Sequence, residues 1–399
     1  MSEKIPILII GASLLGTSIA YELSKTKQGI YVVEKNKNPA SEHTQSARNS
    51  MVIHGGPYYD RTTEPLKTAM CVPGNAKIYT FAKKYNIFHR KTGKLIIARD
   101  NIEAEFIEGF YKRSRDNGVP NVEILDRIDI KKLEPNINAY CALHVPKTGI
   151  VDSVELAKKL YLLAEANNTC FAFGNKVIGI EPIIDSFKIT LETTDRQERY
   201  EIDADIIINA AGLYFDEIAT MLNPNNPYKA EASKNEWVEF SSDNNRLQMN
   251  GTNIYPIPCV VIDNEKQILS FKEYEEHIQT GKGIRSLGVH LTPTVQGTIS
   301  IGPMVIRGIG KEDFRLTVNT ETSGQRFLDS VASFFPNLTL GDIKPYQIGN
   351  QVKILENGKR YPDFLIKRDE IYPNFIYAVG DSPGLTCVFP IAEYVAKLL

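Results

Sequence analysis

The chain begins with an alternation of apolar runs and polar breaks that is typical of a βαβ unit. Residues 5–10 (IPILII) form an unbroken apolar run, which predicts a parallel strand buried on both faces. A turn with glycines at both ends follows at 11–16, apolar positions at 17–23 predict a helix, and 30–33 (IYVV) predict a second strand. The second strand runs directly into Glu34.

Together, the turn and the acid indicate a dinucleotide site. Backbone N–H groups of the turn and the positive end of the helix dipole bind a pyrophosphate, and an acid about 20 residues beyond the glycines accepts hydrogen bonds from ribose hydroxyls. Ser13 stands where a second glycine is usual, and we interpret it as a tolerated variant whose hydroxyl can donate to a phosphate oxygen. The alternative is an α/β unit that keeps the turn without a nucleotide. The predicted contacts in this unit are Gly11, Ala12, Ser13, Leu14, Gly16, Glu34 and Lys35.

Farther along, the pattern leaves the βαβ unit and later returns to it. Helix, strand and charged helix are predicted at 81–87, 95–98 and 101–117, and Asp152 is predicted to cap a helix. The run at 205–212 predicts a buried strand that ends in small residues, beside which a flat ligand can lie. Other strands are predicted at 170–173, 176–180, 187–192, 199–202, 235–240, 251–258, 284–292, 298–302, 364–366 and 375–379, and a last helix at 391–399.

These elements predict an α/β fold with an α+β second domain. A Rossmann-like dinucleotide-binding domain, built from discontinuous segments, is interleaved with an antiparallel-sheet substrate domain. The first domain is predicted to comprise residues 1–88, 146–223 and 335–399, and the second 89–145 and 224–334.

Composition narrows the class of protein. The 399 residues carry 46 Lys and Arg against 48 Asp and Glu, so nothing favours a nucleic-acid partner or an anionic membrane. The five cysteines are scattered without C-x-x-C spacing, which argues against a metal site or a disulfide framework. No segment is long and apolar enough to span a bilayer, and the N-terminal apolar run is the first strand. We expect a cytoplasmic protein, with peripheral membrane contact left open.

Several short sequence motifs resemble those of a known protein family. These motifs are spread over nearly the whole chain. The most specific are Asn-Ser-x-Val-Ile-His, at 49–54, and Gly-Val-His-Leu-Thr-Pro-Thr, at 288–294. The full set of motifs is 45–59 (QSARNSMVIHGGPYY), 66–67 (LK), 71–72 (CV), 94–96 (KLI), 133–135 (LEP), 148–153 (TGIVDS), 209–212 (NAAG), 288–294 (GVHLTPT), 363–364 (DF) and 382–386 (SPGLT). With them the chain resembles FAD-dependent oxidoreductases of the D-amino-acid oxidase and glycine oxidase fold, and within that group L-2-hydroxyglutarate dehydrogenases or oxidases.

The resemblance implies bound FAD and oxidation of a C–H bond next to a hydroxyl. Such a reaction needs a hydride acceptor, here flavin N5, and a base for the hydroxyl proton. His54 is the predicted base, and His290 is predicted to face the substrate from the second domain; the alternatives are histidines that only bond a carbonyl or pack in a strand. Further cofactor contacts implied by the resemblance are Ser46, Arg48, Asn49, Ser50, Val177, Ala211, Gly212, Gly380, Pro383, Gly384, Leu385 and Thr386.

The substrate end departs from the family pattern. Gln351 stands where the family commonly has an arginine that pairs with the substrate carboxylate, so Lys353, Arg285 or Arg307 would have to supply the cation, or the substrate differs. Tyr255 is predicted to line the substrate pocket.

Three functions remain open on this basis. The first is oxidation of an L-2-hydroxy acid, a small carboxylate substrate, with electrons passing to a quinone, a flavoprotein carrier or oxygen. The second is amino-acid or amine oxidation on the same fold, and the third is FAD binding without turnover.

Overall fold

The computed structural model describes residues 4–42, 44–243, 245–262, 265–306, 310–315 and 323–399. The helices are α1 (Leu14–Ser24), α2 (Pro65–Lys84), α3 (Asn101–Asp116), α4 (Arg127–Leu133), α5 (Ser153–Ala166), α6 (Phe215–Leu222), α7 (Phe271–Thr280), α8 (Gly324–Val331) and α9 (Gly384–Leu398). The strands are β1 (Ile5–Ile10), β2 (Ile30–Glu34), β3 (Val52–Ile53), β4 (His89–Lys91), β5 (Lys94–Ala98), β6 (Glu123–Asp126), β7 (Cys141–His144), β8 (Gly149–Val151), β9 (Cys170–Phe173), β10 (Asn175–Ile183), β11 (Ser186–Thr193), β12 (Arg199–Asn209), β13 (Tyr228–Phe240), β14 (Asn253–Pro256), β15 (Cys259–Ile262), β16 (Glu265–Gln267), β17 (Ile284–Ser286), β18 (His290–Pro293), β19 (Ile299–Ile306), β20 (Lys344–Glu356), β21 (Lys359–Arg360), β22 (Leu365–Arg368) and β23 (Phe375–Val379).

The predicted βαβ unit lies in the middle of the first sheet. β1 pairs in parallel with β2 on one side and with β12 on the other, and β9 and β23 extend the parallel part at its two edges. Since the chain goes from β1 to β2 first and comes back to β12 later, β1 lies at the switch point of the sheet, where α/β folds bind ligands. α1 packs between α5 and α9. The predicted α/β class is confirmed.

The second sheet carries most of the remaining strands. Its order is β21-β20-β13-β19-β18-β14-β5-β7-β6, and all its pairs are antiparallel except the parallel pair of β14 with β5. The predicted domain division stays a prediction, and we propose one revision to it. β20 pairs with β13 along its whole length, which places residues 344–356 with the second sheet rather than with the 335–399 segment of the first domain.

Three elements differ from the sequence pattern. The apolar run at 284–292 is divided between β17 and β18, which belong to different sheets, with Gly288 at φ +70° between them. α7 was not predicted; its Phe271 and Tyr274 pack on Phe106 and Phe110 of α3. The last helix begins at Gly384 rather than at 391, because Pro390 lies inside α9 instead of before its start.

Met51 lies at a backbone position that favours glycine. Its φ is +55°, and the Asn49 side chain accepts a hydrogen bond from its N–H at 2.7 Å. The left-handed conformation costs a residue with a Cβ roughly 1–2 kcal/mol.

We therefore expect Met51→Gly to stabilise the protein by roughly 0.5–1 kcal/mol, after the entropy that glycine adds to the unfolded chain. Urea unfolding monitored by circular dichroism measures this free energy. Met51→Ala is the matched control, because it removes the same side chain but keeps the Cβ. Equal stabilities for the two variants would contradict the backbone explanation.

Candidate active site

One large cavity is lined by residues of both large sheets. Its volume is about 2030 Å³, well above the roughly 300–1,000 Å³ of a pocket for one small molecule. It therefore has room for a dinucleotide and a second ligand. The predicted site residues that line it are Gly11, Ser13, Leu14, Glu34, Lys35, Ser46, Arg48, Asn49, Ser50, His54, Val177, Ala211, Gly212, Tyr255, Arg285, His290, Lys353, Gly380, Pro383, Gly384 and Leu385. Ala12, Gly16 and Thr386 are buried behind this lining.

The glycine turn is sterically demanding at its ends but not at its middle. Gly11 has φ +104°, and a Cβ there would come within 2.6 Å of the Ala210 carbonyl oxygen. A Cβ on Gly16 would collide with the carbonyl of Gly11. Ser13 has φ −74° and makes no side-chain cap bond, so a residue with a side chain is accommodated there and its hydroxyl is available to a ligand.

Glu34 supports the turn from the end of β2. One carboxylate oxygen accepts the Ala12 N–H at 2.8 Å, and the other accepts the Asn36 N–H at 2.9 Å. Lys35, next in the chain, pairs with Glu312 at 3.0 Å and lies 3.6 Å from the centroid of the Tyr214 ring.

The segment 46–50 lies across the start of α1. The Ser46 hydroxyl accepts the Leu14 N–H at 2.9 Å. The Asn49 amide donates to the Ser46 carbonyl at 2.7 Å and to the Ser153 hydroxyl at 3.2 Å, which ties the segment to the first residue of α5. Arg48 donates to the carbonyls of Glu42 and Ile348, the latter at 3.4 Å.

His54 follows β3, and its main chain is held from two helices. Its N–H donates to the Thr386 hydroxyl at 2.9 Å, and its carbonyl accepts from the Asn75 amide at 3.0 Å. The ring Nδ1 is enclosed and has no hydrogen-bond partner within the described part of the chain, so Nε2 is the nitrogen that can face the cavity. Burial first, and then the charges of Lys94 and His290, lower the pKa of His54 well below its usual value. The imidazole is thus neutral at neutral pH and can accept a proton.

His290 lies in a stack of three side chains. Its ring stacks on Tyr255 with 3.7 Å between centroids, and the Lys94 ammonium lies 3.6 Å from the centroid of the same ring. Burial, and then the charge of Lys94, lower the pKa of His290 well below its usual value. Lys94 is fully buried.

The candidate cations for a substrate carboxylate differ in their availability. Arg285 donates to both carboxylate oxygens of Glu64 and to the Tyr274 hydroxyl at 2.9 Å, so its charge is already paired. Lys353 donates to the Gln351 side-chain oxygen at 2.8 Å. Burial lowers the pKa of Lys353 to about 8, against the opposing charge of Asp381. Arg307 lies outside the described residues.

The strand that carries Gln351 and Lys353 contacts the segment 46–50 directly. Gly349 of β20 lies so close to Arg48 that a Cβ there would collide with the Arg48 carbonyl oxygen. The Gln347 amide donates to the Asn49 carbonyl at 2.9 Å. The N-terminus of α9, with Gly384 and Leu385, also borders this part of the cavity and presents a positive dipole end to it.

Two buried lysines of this region were not predicted as site residues. Lys67 pairs with Asp381 at 2.8 Å and donates to the Pro362 carbonyl at 2.7 Å. Lys94 opens β5, a strand whose five residues are all buried. A lysine that begins an otherwise apolar strand is a signal that the sequence contains, since a buried ammonium group is rare without a function or a partner.

Comparison with known proteins agrees with this geometry. A family model described as FAD dependent oxidoreductase (DAO) matches residues 6–398. L-2-hydroxyglutarate dehydrogenase, mitochondrial, of Arabidopsis thaliana is 25% identical over 433 residues, covering 99% of this chain and 83% of that protein. L-2-hydroxyglutarate dehydrogenase of Escherichia coli O17:K52:H18 is 26% identical over 424 residues, covering 98% and 92%. L-alpha-glycerophosphate oxidase from Mycoplasma pneumoniae, solved with FAD bound, shares the fold with a TM-score of 0.79 and 22% identity, covering 100% of this chain and 95% of that one.

A match that spans nearly the whole chain defines the class of protein. The chain belongs to the DAO family of FAD-dependent oxidoreductases, and the predicted cofactor, FAD, is confirmed. The residues present fit this cofactor, because the cavity combines a glycine turn that excludes side chains at its ends with an acid at the end of β2. Among the described residues, no helix is long and apolar enough to cross a membrane, and no cluster of three or more His, Cys, Asp or Glu could hold a metal ion.

We expect Glu34→Gln to weaken FAD binding roughly tenfold, since the amide loses a charge-assisted acceptor for the ribose and presents a donor toward the Ala12 N–H. Fluorescence titration of the apoprotein with FAD measures the dissociation constant. Glu22→Gln, an acid of α1 that pairs with Lys25, is the control and should bind FAD as the wild type does. Unchanged affinity in Glu34→Gln would remove Glu34 from the cofactor site.

Proposed function

We propose that this enzyme oxidises an L-2-hydroxy acid of the L-2-hydroxyglutarate type to the corresponding 2-oxo acid. The observation that carries the proposal is His54, a buried and neutral histidine whose ring lines the cavity beside the cofactor segments. Relatives of similar length that are named L-2-hydroxyglutarate dehydrogenase support the choice of substrate.

The side chains of the cavity can divide the work of this reaction. His54 would take the proton of the substrate hydroxyl as the C2–H bond breaks, so that the alcohol carbon becomes a ketone. His290 and Tyr255, which also line the cavity, would orient the substrate, and Lys353 would bind a carboxylate. FAD, when bound, would supply the acceptor for the hydride from C2, and a second acceptor would take up the two electrons.

The His54 main chain explains why the base would be well placed. Thr386 was predicted to contact the flavin, but we propose that it acts through His54, since its hydroxyl accepts the His54 N–H and it is itself fully buried. The class of electron acceptor (a quinone, a flavoprotein carrier or oxygen), a cytoplasmic location and peripheral membrane contact remain proposals of the same kind.

We expect the flavin absorbance of the wild type to bleach when L-2-hydroxyglutarate is added anaerobically. His54→Gln should keep its FAD but reduce it about 10²–10⁴-fold more slowly, the usual contribution of a general base. Stopped-flow absorbance measures both, and His89→Gln on β4 is the control histidine. Reduction of His54→Gln at the wild-type rate would contradict the role of His54. A wild type that bleaches only with amines or amino acids, with release of ammonia, would favour the amine-oxidase alternative.

We expect Gln351→Arg to tighten binding of a dicarboxylate, because it restores a fork of N–H donors beside Lys353. The measurement is the dissociation constant of a dicarboxylate inhibitor, read from perturbation of the flavin spectrum. Gln325→Arg adds the same charge at an exposed position of α8 and should leave this constant unchanged. Weaker or unaltered binding in Gln351→Arg would exclude Gln351 from the carboxylate site.

A further inference from the structure

Lys94 is a buried ammonium group that the proposed reaction leaves unexplained. Its Nζ has no hydrogen-bond partner in the part of the chain that the structure describes, and the side chain is fully buried. Burying an unpaired charge costs several kcal/mol, and a methionine of similar length would avoid that cost. The lysine is therefore unlike a residue retained for packing alone.

The register of the second sheet places Lys94 and His290 on the two strands that flank Tyr255. β14 lies between β5 and β18, and Tyr255 of β14 pairs with Ile96 of β5 in parallel. Lys94, two residues before Ile96, projects on the same face of the sheet as Tyr255 and His290. Because Lys94 and His290 come from strands on opposite sides of β14, they contact opposite faces of the Tyr255 ring, at 3.6 and 3.7 Å.

We propose that Lys94 is a positioning residue of the active site. Its buried ammonium group, which lies behind Tyr255, keeps His54 and His290 unprotonated until an anionic substrate enters. The proposal rests on the proposed function, in which His54 must be unprotonated to accept the hydroxyl proton. Tyr255 lines the cavity and Lys94 does not, so Lys94 would act through the field that it places behind this wall rather than by touching the substrate.

Within the described part of the chain, no carboxylate forms an ion pair with Lys94. Besides Tyr255 and the two histidines, the groups around Lys94 are Tyr58, whose ring centroid is 5.1 Å from Nζ, and Cys71 of α2. On β7 the nearest titratable side chain is His144, which bonds Glu123 at 3.0 Å. A charge in such a poorly solvated site acts strongly over several ångströms.

The direction in which Lys94 shifts the protonation of the histidines follows from the pKa of Lys94 and those of His54 and His290. Burial lowers the pKa of Lys94 to about 7, so the group becomes charged below that pH. This is the range in which a histidine would otherwise take up a proton. The charge of Lys94 lowers the pKa of both histidines, and the negative charge of an entering carboxylate would offset it.

The test is the pH dependence of kcat/KM for L-2-hydroxyglutarate in Lys94→Met and Lys94→Arg. Below the pKa of the base, activity falls, so the acidic limb reports the protonation of His54. We expect Lys94→Met to move this limb upward by roughly one pH unit. Lys94→Arg, which keeps the charge, should restore the wild-type limb. Lys91→Met, at a mostly exposed lysine of β4, is the control and should leave it in place.

Titration of the histidine ring signals by NMR, in protein labelled on histidine, gives a readout independent of turnover. It should show His54 and His290 taking up protons at higher pH in Lys94→Met, and Lys94→Gln serves if the methionine variant does not fold. Unshifted histidine titrations, or equal shifts in Lys94→Arg and Lys94→Met, would overturn the proposal. A wild type whose flavin no hydroxy acid reduces would refute the proposed function, while the histidine titrations would still decide the role of Lys94.

Discussion

The arrangement of the site depends on how the main chain at His54 is held. Its N–H and carbonyl bind Thr386 at the start of α9 and Asn75 in α2, residues that are far apart in sequence. These two hydrogen bonds join the segment after β3 to both helices, so the ring enters the cavity from a fixed main chain. Of the elements that border the cavity, the N-terminus of α9 is the one that this main chain binds directly. In the proposed role of His54 as base, this main chain would hold the ring in place before the substrate binds.

The sequence was most informative where the interactions are local. The strand, turn, helix and strand at the N-terminus were predicted within a few residues, because their pattern depends on burial and on steric limits at Gly11 and Gly16. The cap of α5 by Asp152 was predicted for the same reason, since it involves only the next turn of chain. The glycine turn and Glu34 could therefore be assigned from local pattern, whereas the other proposed cofactor residues came from the family resemblance.

The parts that could not be predicted depend on distant pairing. Lys94 acquires its significance from Tyr255 and His290, which lie on strands some distance along the chain. The place of β20 depends on its pairing with β13, and no local pattern shows which sheet a strand will join. Likewise, only the structure shows that Arg285 is engaged by Glu64 while Lys353 is held by Gln351. Such facts belong to the fold rather than to any single segment.

The contact between Gly349 and Arg48 has a consequence for selectivity. It leaves no space between the strand that carries Gln351 and Lys353 and the segment that carries Asn49 and Ser50. The distance between the proposed carboxylate-binding strand and the segment 46–50 is thereby fixed by backbone against backbone, which cannot yield as a flexible side chain can. This site would then discriminate among hydroxy acids by molecular length more than by charge. A homologue of L-2-hydroxyglutarate that is one methylene shorter or longer would be a poorer substrate.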